Sequence, residues 1–352
     1  MKKILFSCLL ASAPGLFFGQ SIFNDDFEAS TLGNLGTDIT ATAPGQGGWY
    51  ITAATTAANS AVSNFQVQNN NATHGKVLSI LGSAGPAGTK QINQNNKLTS
   101  VWGTRTAGND ILQYEFDVYS GATSTSQNTA RVYLWDGSAA NKCVVGFTLN
   151  MATKQHTLVA YIDPSEVNPS ETGEVGNWGF TFNAALAADT WYKVGIAWDY
   201  VTGEITYKII NEATKAVVID QFYQGAAAGA TPNLANIQVQ AVPPGVTANT
   251  VAANILFDNI KLKATNTVDL LAVNDVMKNK MSVSVYPNPT SDVLKFDTTS
   301  KVNAVQIYDA SGKSVNAQLS DNQLDVRKLQ NGVYLIKITT KEGVSTQKFI
   351  KK

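Results

Sequence analysis

The chain is short of the groups that most enzymes work with. Its 352 residues include two histidines and two cysteines, and charged residues make up 15%. His74 precedes Gly75 at a turn, and His156 opens an apolar run. Neither sits in an acidic motif, so a Ser-His-Asp triad or a zinc site has no sequence support. No glycine pattern of the phosphate-cradling kind is present. Past the first 20 residues no stretch approaches 18 apolar residues, which excludes a membrane-spanning helix there.

Cys8 lies in the N-terminal apolar run, and the apolar stretch before it is too short for a lipoprotein signal. That leaves Cys143, which precedes Val144-Val145-Gly146-Phe147. One thiol cannot close an internal disulfide, so the fold must rest on its core. Cys143 reads as a small buried hydrophobe, with a nucleophile as the alternative.

Residues 1–19 have the build of a secretory signal peptide. Lys2 and Lys3 form a positive start, Ile4 to Leu10 begin an apolar segment, and Gly19-Gln20 is the cleavage neighbourhood. From 20 to 277 the chain carries 12 Lys/Arg against 20 Asp/Glu, a net of −8. From 278 to 352 it carries 12 Lys/Arg against 6 Asp/Glu, a net of +6. The lysines of this basic end are scattered, and only Lys351-Lys352 cluster. That pattern fits a solvated surface and not a nucleic-acid patch.

Residues 21–265 alternate apolar and polar positions between turn residues, which predicts strands. The clearest runs are Lys76 to Leu81, Leu112 to Val118, Val132 to Trp135, Val144 to Leu149, Leu158 to Ile162, Tyr192 to Trp198, Ile205 to Ile209 and Ile255 to Leu262. Ala184 to Ala188 is the only short helix candidate. Some 12 to 15 strands are expected, and the fold class is all-β. A large jelly-roll β-sandwich is followed by a linker at 266–283 and a small C-terminal β-sandwich at 284–352. Trp191 to Asp199 followed by Val201-Thr202-Gly203-Glu204 resembles a strand-turn-strand of concanavalin A-like lectin and glucanase domains. The pairing of Phe23-Asn24-Asp25-Asp26-Phe27-Glu28 with Phe257-Asp258-Asn259-Ile260 resembles them too.

The C-terminal end holds three signatures in order. They are Pro287-Asn288-Pro289 after Val285-Tyr286, Gly332-Val333-Tyr334 opening a β-prone run, and Lys348-Phe349-Ile350-Lys351-Lys352 at the close. Together they resemble the type A C-terminal sorting domain of type IX secretion cargo. The resemblance implies export through the periplasm and across the outer membrane by the type IX machinery. The product would be secreted or displayed on the outer cell surface.

Candidate chemistry lies in the body. On one strand Gln113, Glu115, Asp117 and Tyr119 share a face, and on the next Arg131, Tyr133 and Trp135 do. Side by side, with Gln238 and Gln240, these would form a glycan groove, aromatic rings meeting sugar faces and polar groups fixing hydroxyls. The alternative is an ordinary solvated sheet face. Glu115 and Asp117 would lie about 6.6 Å apart along the strand, a spacing compatible with glycoside hydrolysis. Related glucanases carry Glu-x-Asp-x-x-Glu, but Tyr119 and Ser120 stand where the closing Glu belongs. Related lyases carry Gln-x-His, and here the strand reads Gln238-Val239-Gln240. No catalytic residue is assigned.

If the first and last strands pair, Asp25, Asp26, Glu28, Asp258 and Asn259 would gather as a structural calcium site. The alternative is that these acids discourage strand-edge pairing. Three readings follow: a non-catalytic glycan-binding or adhesion module, a secreted polysaccharide-degrading hydrolase or lyase, and a structural surface protein without a small ligand.

Overall fold

The computed structural model describes residues 19–54, 60–94, 97–167, 173–241, 249–271, 284–298, 301–309, 314–320, 322–340 and 343–352. Residues 1–18 of the expected signal peptide and 272–283 of the expected linker lie outside these residues. The chain divides into two compact units, Met1–Ala272 and Val273–Lys352.

The larger unit has sixteen strands: β1 (Gln20–Asp25), β2 (Gly33–Asn34), β3 (Tyr50–Ala53), β4 (Phe65–Asn69), β5 (Lys76–Leu81), β6 (Thr89–Asn93), β7 (Ile111–Tyr119), β8 (Thr129–Asp136), β9 (Cys143–Asn150), β10 (His156–Ile162), β11 (Gly176–Thr181), β12 (Trp191–Asp199), β13 (Glu204–Asn211), β14 (Val217–Gln224), β15 (Pro232–Gln240) and β16 (Asn254–Thr265). Nine form one sheet in the order β14-β13-β12-β7-β16-β5-β4-β2, with β1 added on β16. Seven form the other, in the order β11-β10-β9-β8-β15-β6-β3. All pairings are antiparallel, as the jelly-roll expectation requires.

Alternation decides which side of each strand is buried. On β7, Leu112, Tyr114, Phe116 and Val118 enter the core; on β8, Ala130, Val132 and Leu134 do. Phe116 meets Phe147 of β9 edge-on across the sandwich at 5.5 Å. The eight clearest predicted runs all fall on strands. The helix does not fall at Ala184–Ala188. A helix, α1, forms instead at Lys97–Gly103, where Leu98 and Trp102 turn into the core and the Arg105 guanidinium covers the Trp102 ring at 4.2 Å.

The stretch after Thr265 begins as part of this unit. Leu270 and Leu271 are buried. A Cβ at Gly195 of β12 would lie 3.0–3.1 Å from both, so the bare glycine makes room for them.

Among the described residues the smaller unit has eight strands in two four-stranded sheets, β17 (Ser284–Tyr286), β18 (Val293–Asp297), β19 (Val302–Asp309), β20 (Ser314–Val315), β21 (Gln318–Ser320), β22 (Gln323–Asp325), β23 (Gly332–Thr340) and β24 (Gly343–Lys351). Leu294, Phe296 and Leu324 of one sheet and Ile307, Ile336, Ile338 and Phe349 of the other form its core. The β17 strand lies on a sheet edge, as the prolines that follow it require.

Candidate functional site

The two halves of the expected groove part company. Strand β7 pairs with β12 and β16, whereas β8 pairs with β9 and β15. The connection between β7 and β8 crosses from one sheet to the other, so consecutive strands are not neighbours. Both strands turn their apolar residues into the same core. Glu115, Asp117 and Tyr119 therefore face outward from the nine-stranded sheet, and Arg131, Tyr133 and Trp135 face outward from the seven-stranded sheet.

On the nine-stranded sheet the carboxylates are engaged. Glu115 accepts the Leu271 N–H at 3.0 Å and lies 3.6 Å from the Lys263 ammonium. Gln113 donates to the Thr267 carbonyl. Thus the segment leaving the body covers this part of the face. Asp117 joins a buried charge network built by five elements. His74, from the β4–β5 turn, holds Asp258 at 2.8 Å through Nδ1 and Glu212 at 2.7 Å through Nε2. Its ring stacks on Trp191 at 3.9 Å. Lys193 reaches Asp117 at 2.8 Å and Glu212 at 3.2 Å. Asn259 donates to Asp117 and Asp258. Asp258 stands in register with Asp117, and a bulge in β16 against β7 follows it, between Asp258 and Lys261.

Burial works against charge on His74, but the carboxylates of Asp258 and Glu212 outweigh it and push its pKa up to about 9. The imidazolium in turn holds Glu212 down at about 2. Burial raises Asp117. Among the described residues, His74, Asp117 and Glu212 are the one group of three His, Cys, Asp or Glu whose ligand atoms lie within 4.8 Å of one another. The Lys193 ammonium already supplies a cation there.

The expected calcium ligands are not gathered into one such group. Strands β1 and β16 do pair, with Asp25 opposite Ile260. However, Asp25 accepts the Trp49 indole N–H at 2.7 Å and the Phe27 N–H. Glu28 accepts the Lys76 N–H, and the Lys76 ammonium sits on the Glu28 and Ser30 carbonyls. Asp26 accepts the Glu28 N–H. Asp258 and Asn259 belong to the His74 network.

The seven-stranded sheet presents a different surface. Register places Arg131 opposite Gln238 and Tyr133 opposite Asn236 on β15, and Thr148 and Gly146 opposite them on β9. Asn236 and Gln238 in turn meet Asn93 and Gln91 of β6, which meet Tyr50 and Thr52 of β3. The result is a continuous outward row of amides, hydroxyls and aromatic rings across five strands. Tyr133 and Trp135 pack edge-on at 5.3 Å. Although outward, Asn93, Asn236, Thr129 and Tyr133 are each under a tenth exposed, so their neighbours wall the row in. Asn93 Oδ1, Asn236 Oδ1, Thr129 Oγ1, Gln240 Oε1 and Arg131 Nε are buried without a hydrogen-bond partner. Such atoms are few in native proteins, and here five fall on one face. Of the expected groove, the structure brings together Arg131, Tyr133, Trp135, Gln238 and Gln240. Sequence reasoning missed Asn93, Asn236, Gln91 and Tyr50 on this face, because only strand order makes them neighbours.

Cys143 is buried and free, its thiol pushed up by burial. His156 is buried against Tyr207 and Phe182, and burial pulls it down to about 4.

In the smaller unit the sorting residues meet one another. Asn288 Oδ1 accepts the Ile350 N–H and its amide donates to the Lys348 carbonyl. Thr290 bridges to Lys351. Pro287, Asn288, Pro289, Gly332, Lys348 and Lys352 stay exposed. Tyr334 is buried, stacks on Phe349 at 5.4 Å and donates to the Gln330 carbonyl.

No curated protein matches the chain. Among solved structures it is similar to an endo-1,3-beta-glucanase from Streptomyces sioyaensis, with TM-score 0.44, 11% identity, and coverage of 73% of this chain and 100% of that one. The PL-14 alginate lyase from Aplysia kurodai gives 0.40 and 10%, covering 57% and 87%. Lectin II from Ulex europaeus gives 0.37 and 9%, covering 70% and 98%. Residues 284–352 match the model of the secretion system C-terminal sorting domain, and they make this chain a cargo of type IX export.

Proposed function

We propose that the exported body is a non-catalytic carbohydrate-binding module whose ligand lies along the outward face of the seven-stranded sheet. One observation carries this reading: a row of partly exposed amide and hydroxyl side chains, Gln91, Thr148, Gln238 and Gln240, shares that face with Tyr133, Trp135 and Tyr50. Sugar hydroxyls both donate and accept, so a glycan would bond to these groups while its ring faces lie on the aromatics. No Asp or Glu occupies an outward position on these seven strands. Hydrolysis by the usual route needs two. The Glu115–Asp117 pair lies in the other sheet, with one carboxylate bonded to Leu271 and the other buried beside Lys193.

A glycan array followed by a product assay on each hit tests the reading. Binding without turnover is expected. Trp135→Ala should weaken it at least tenfold, about 1.4 kcal/mol, while Glu115→Gln leaves it unchanged. Turnover of any hit would replace the module with an enzyme. Silence across the array, with self-association in solution, would favour a structural surface protein.

A further inference from the structure

Arg131 is the one charged residue on the outward positions of the seven-stranded sheet. It stands mid-strand on β8, flanked in register by Gln238 on one side and Thr148 on the other. Among the described residues no carboxylate pairs with it and no side chain or carbonyl accepts from it. The Tyr133 ring centre lies 6.0 Å from its guanidinium carbon. Its Nε is buried and unpaired. Burial works against its charge. Elsewhere the body gives its buried and partly buried cations acceptors: Arg105 pairs with Asp110, Lys193 with Asp117 and Glu212, and Lys263 with Asp269, while Lys90 and Lys154 each sit on two backbone carbonyls. Arg131 is only partly buried, and its guanidinium has neither a counter-charge nor an acceptor among the described residues, so its position is one where an anion from outside would pair with it.

We infer that the glycan is an anionic polysaccharide, and that Arg131 holds one carboxylate or sulfate group of it while the amide row holds the neighbouring hydroxyls. The inference rests on the binding-module reading above. A guanidinium fork matches the oxygen spacing of either anion and takes it through two parallel hydrogen bonds. Gln91, Asn93, Asn236 and Gln238 are neutral donors and acceptors, as hydroxyl recognition requires. The net charge of −8 from 20 to 277 argues against indiscriminate capture of polyanions. The selectivity therefore belongs to one residue and not to the field of the protein.

The test measures affinity of the purified protein for three polymers: a polyuronate, a sulfated galactan and a neutral β-glucan. Wild type, Arg131→Gln, Arg131→Lys and Trp135→Ala are compared, each checked by thermal melting. The expected result is at least tenfold tighter binding of one anionic polymer than of the neutral one. Arg131→Gln should abolish that preference, Arg131→Lys should keep part of it, and Trp135→Ala should weaken binding to every polymer that wild type binds. Preference for the polyuronate or for the galactan identifies the anion, and either supports the inference. Neutral glucan bound as well as the anionic polymers overturns the inference and leaves the module reading standing. So does an anionic preference that survives in Arg131→Gln. If wild type binds no polymer and no array glycan, both readings fall together.

Discussion

Tyr133 lies across Gly146 of the neighbouring strand, where any Cβ would run into its ring. Single residues of this kind shape the outward row, and a single residue also sets the pH range of the fold. His74 is 3% exposed and clamped between Asp258 and Glu212. Its pKa is near 9 when folded, against about 6.5 when unfolded. A raised folded pKa gives stability that is complete below about pH 6.5 and lost as pH climbs through about 9, worth roughly 3 kcal/mol. Glu212, held at about 2, has the opposite sign. Its contribution is present above its unfolded value of about 4.3 and lost as pH falls through about 2. Melting curves of wild type and His74→Gln should therefore differ most between about pH 4.5 and 6.5, and converge towards pH 10. A gap that stays constant with pH would mean that His74 acts by packing on Trp191 alone. None of this was legible in the sequence. His74 is followed by a glycine, and its partners lie at 117, 191, 212 and 258. No local window holds two of the acids, so the residue read as a turn histidine.

At the scale of elements, alternation was legible because each strand buries one face. The order of strands was not, because it depends on which sheet each connection returns to. That is why Leu112, Phe116 and Val132 lie on the buried sides that alternation implies, whereas Glu115 and Arg131, expected on one surface, lie on two. The same distinction explains the segment after Thr265. Its composition resembles a linker, but Leu270 and Leu271 close over Gly195, and the Leu271 N–H caps Glu115. Removing it would expose two leucines and strip Glu115 of a donor. Burial of two such side chains contributes about 3 kcal/mol or more, even after allowing for a compact unfolded chain. A body ending at Thr265 should therefore melt about 6–12 °C below one ending at Ala272. Equal melting temperatures would show that the segment only rests on the sheet. Lysines act at this scale as well. The ammonium groups of Lys76, Lys90 and Lys154 each sit on two backbone carbonyls, tying loops to strand ends.

For the whole molecule, the address and the proposed binding face lie in separate units with separate cores. The sorting unit was the most legible part of the sequence, because its signatures are local: Pro287-Asn288-Pro289, the Gly332-Val333-Tyr334 opening and the final lysines. The fold then explains why they occur together. Asn288 ties the proline loop to Lys348 and Ile350, so the exposed residues of the first and last signatures, Pro287 to Pro289 with Lys348, Ile350 and Lys352, form one patch. The buried Tyr334–Phe349 stack lies on the paired strands β23 and β24. Recognition by the export machinery should therefore depend on the folded unit and not on a linear tail. Deleting residues 284–352 should strand the body in the periplasm with its glycan affinity intact, because no residue of the outward row is lost. Asn288→Ala should reduce export in the same direction, since it removes the two side-chain hydrogen bonds that hold the proline loop on the last strand while leaving the lysines in place. Fractionation into periplasm, cell surface and medium reads both variants. If Asn288→Ala exports normally while deletion of Lys351-Lys352 blocks export, the machinery reads the terminal sequence alone, and the patch is only an effect of folding.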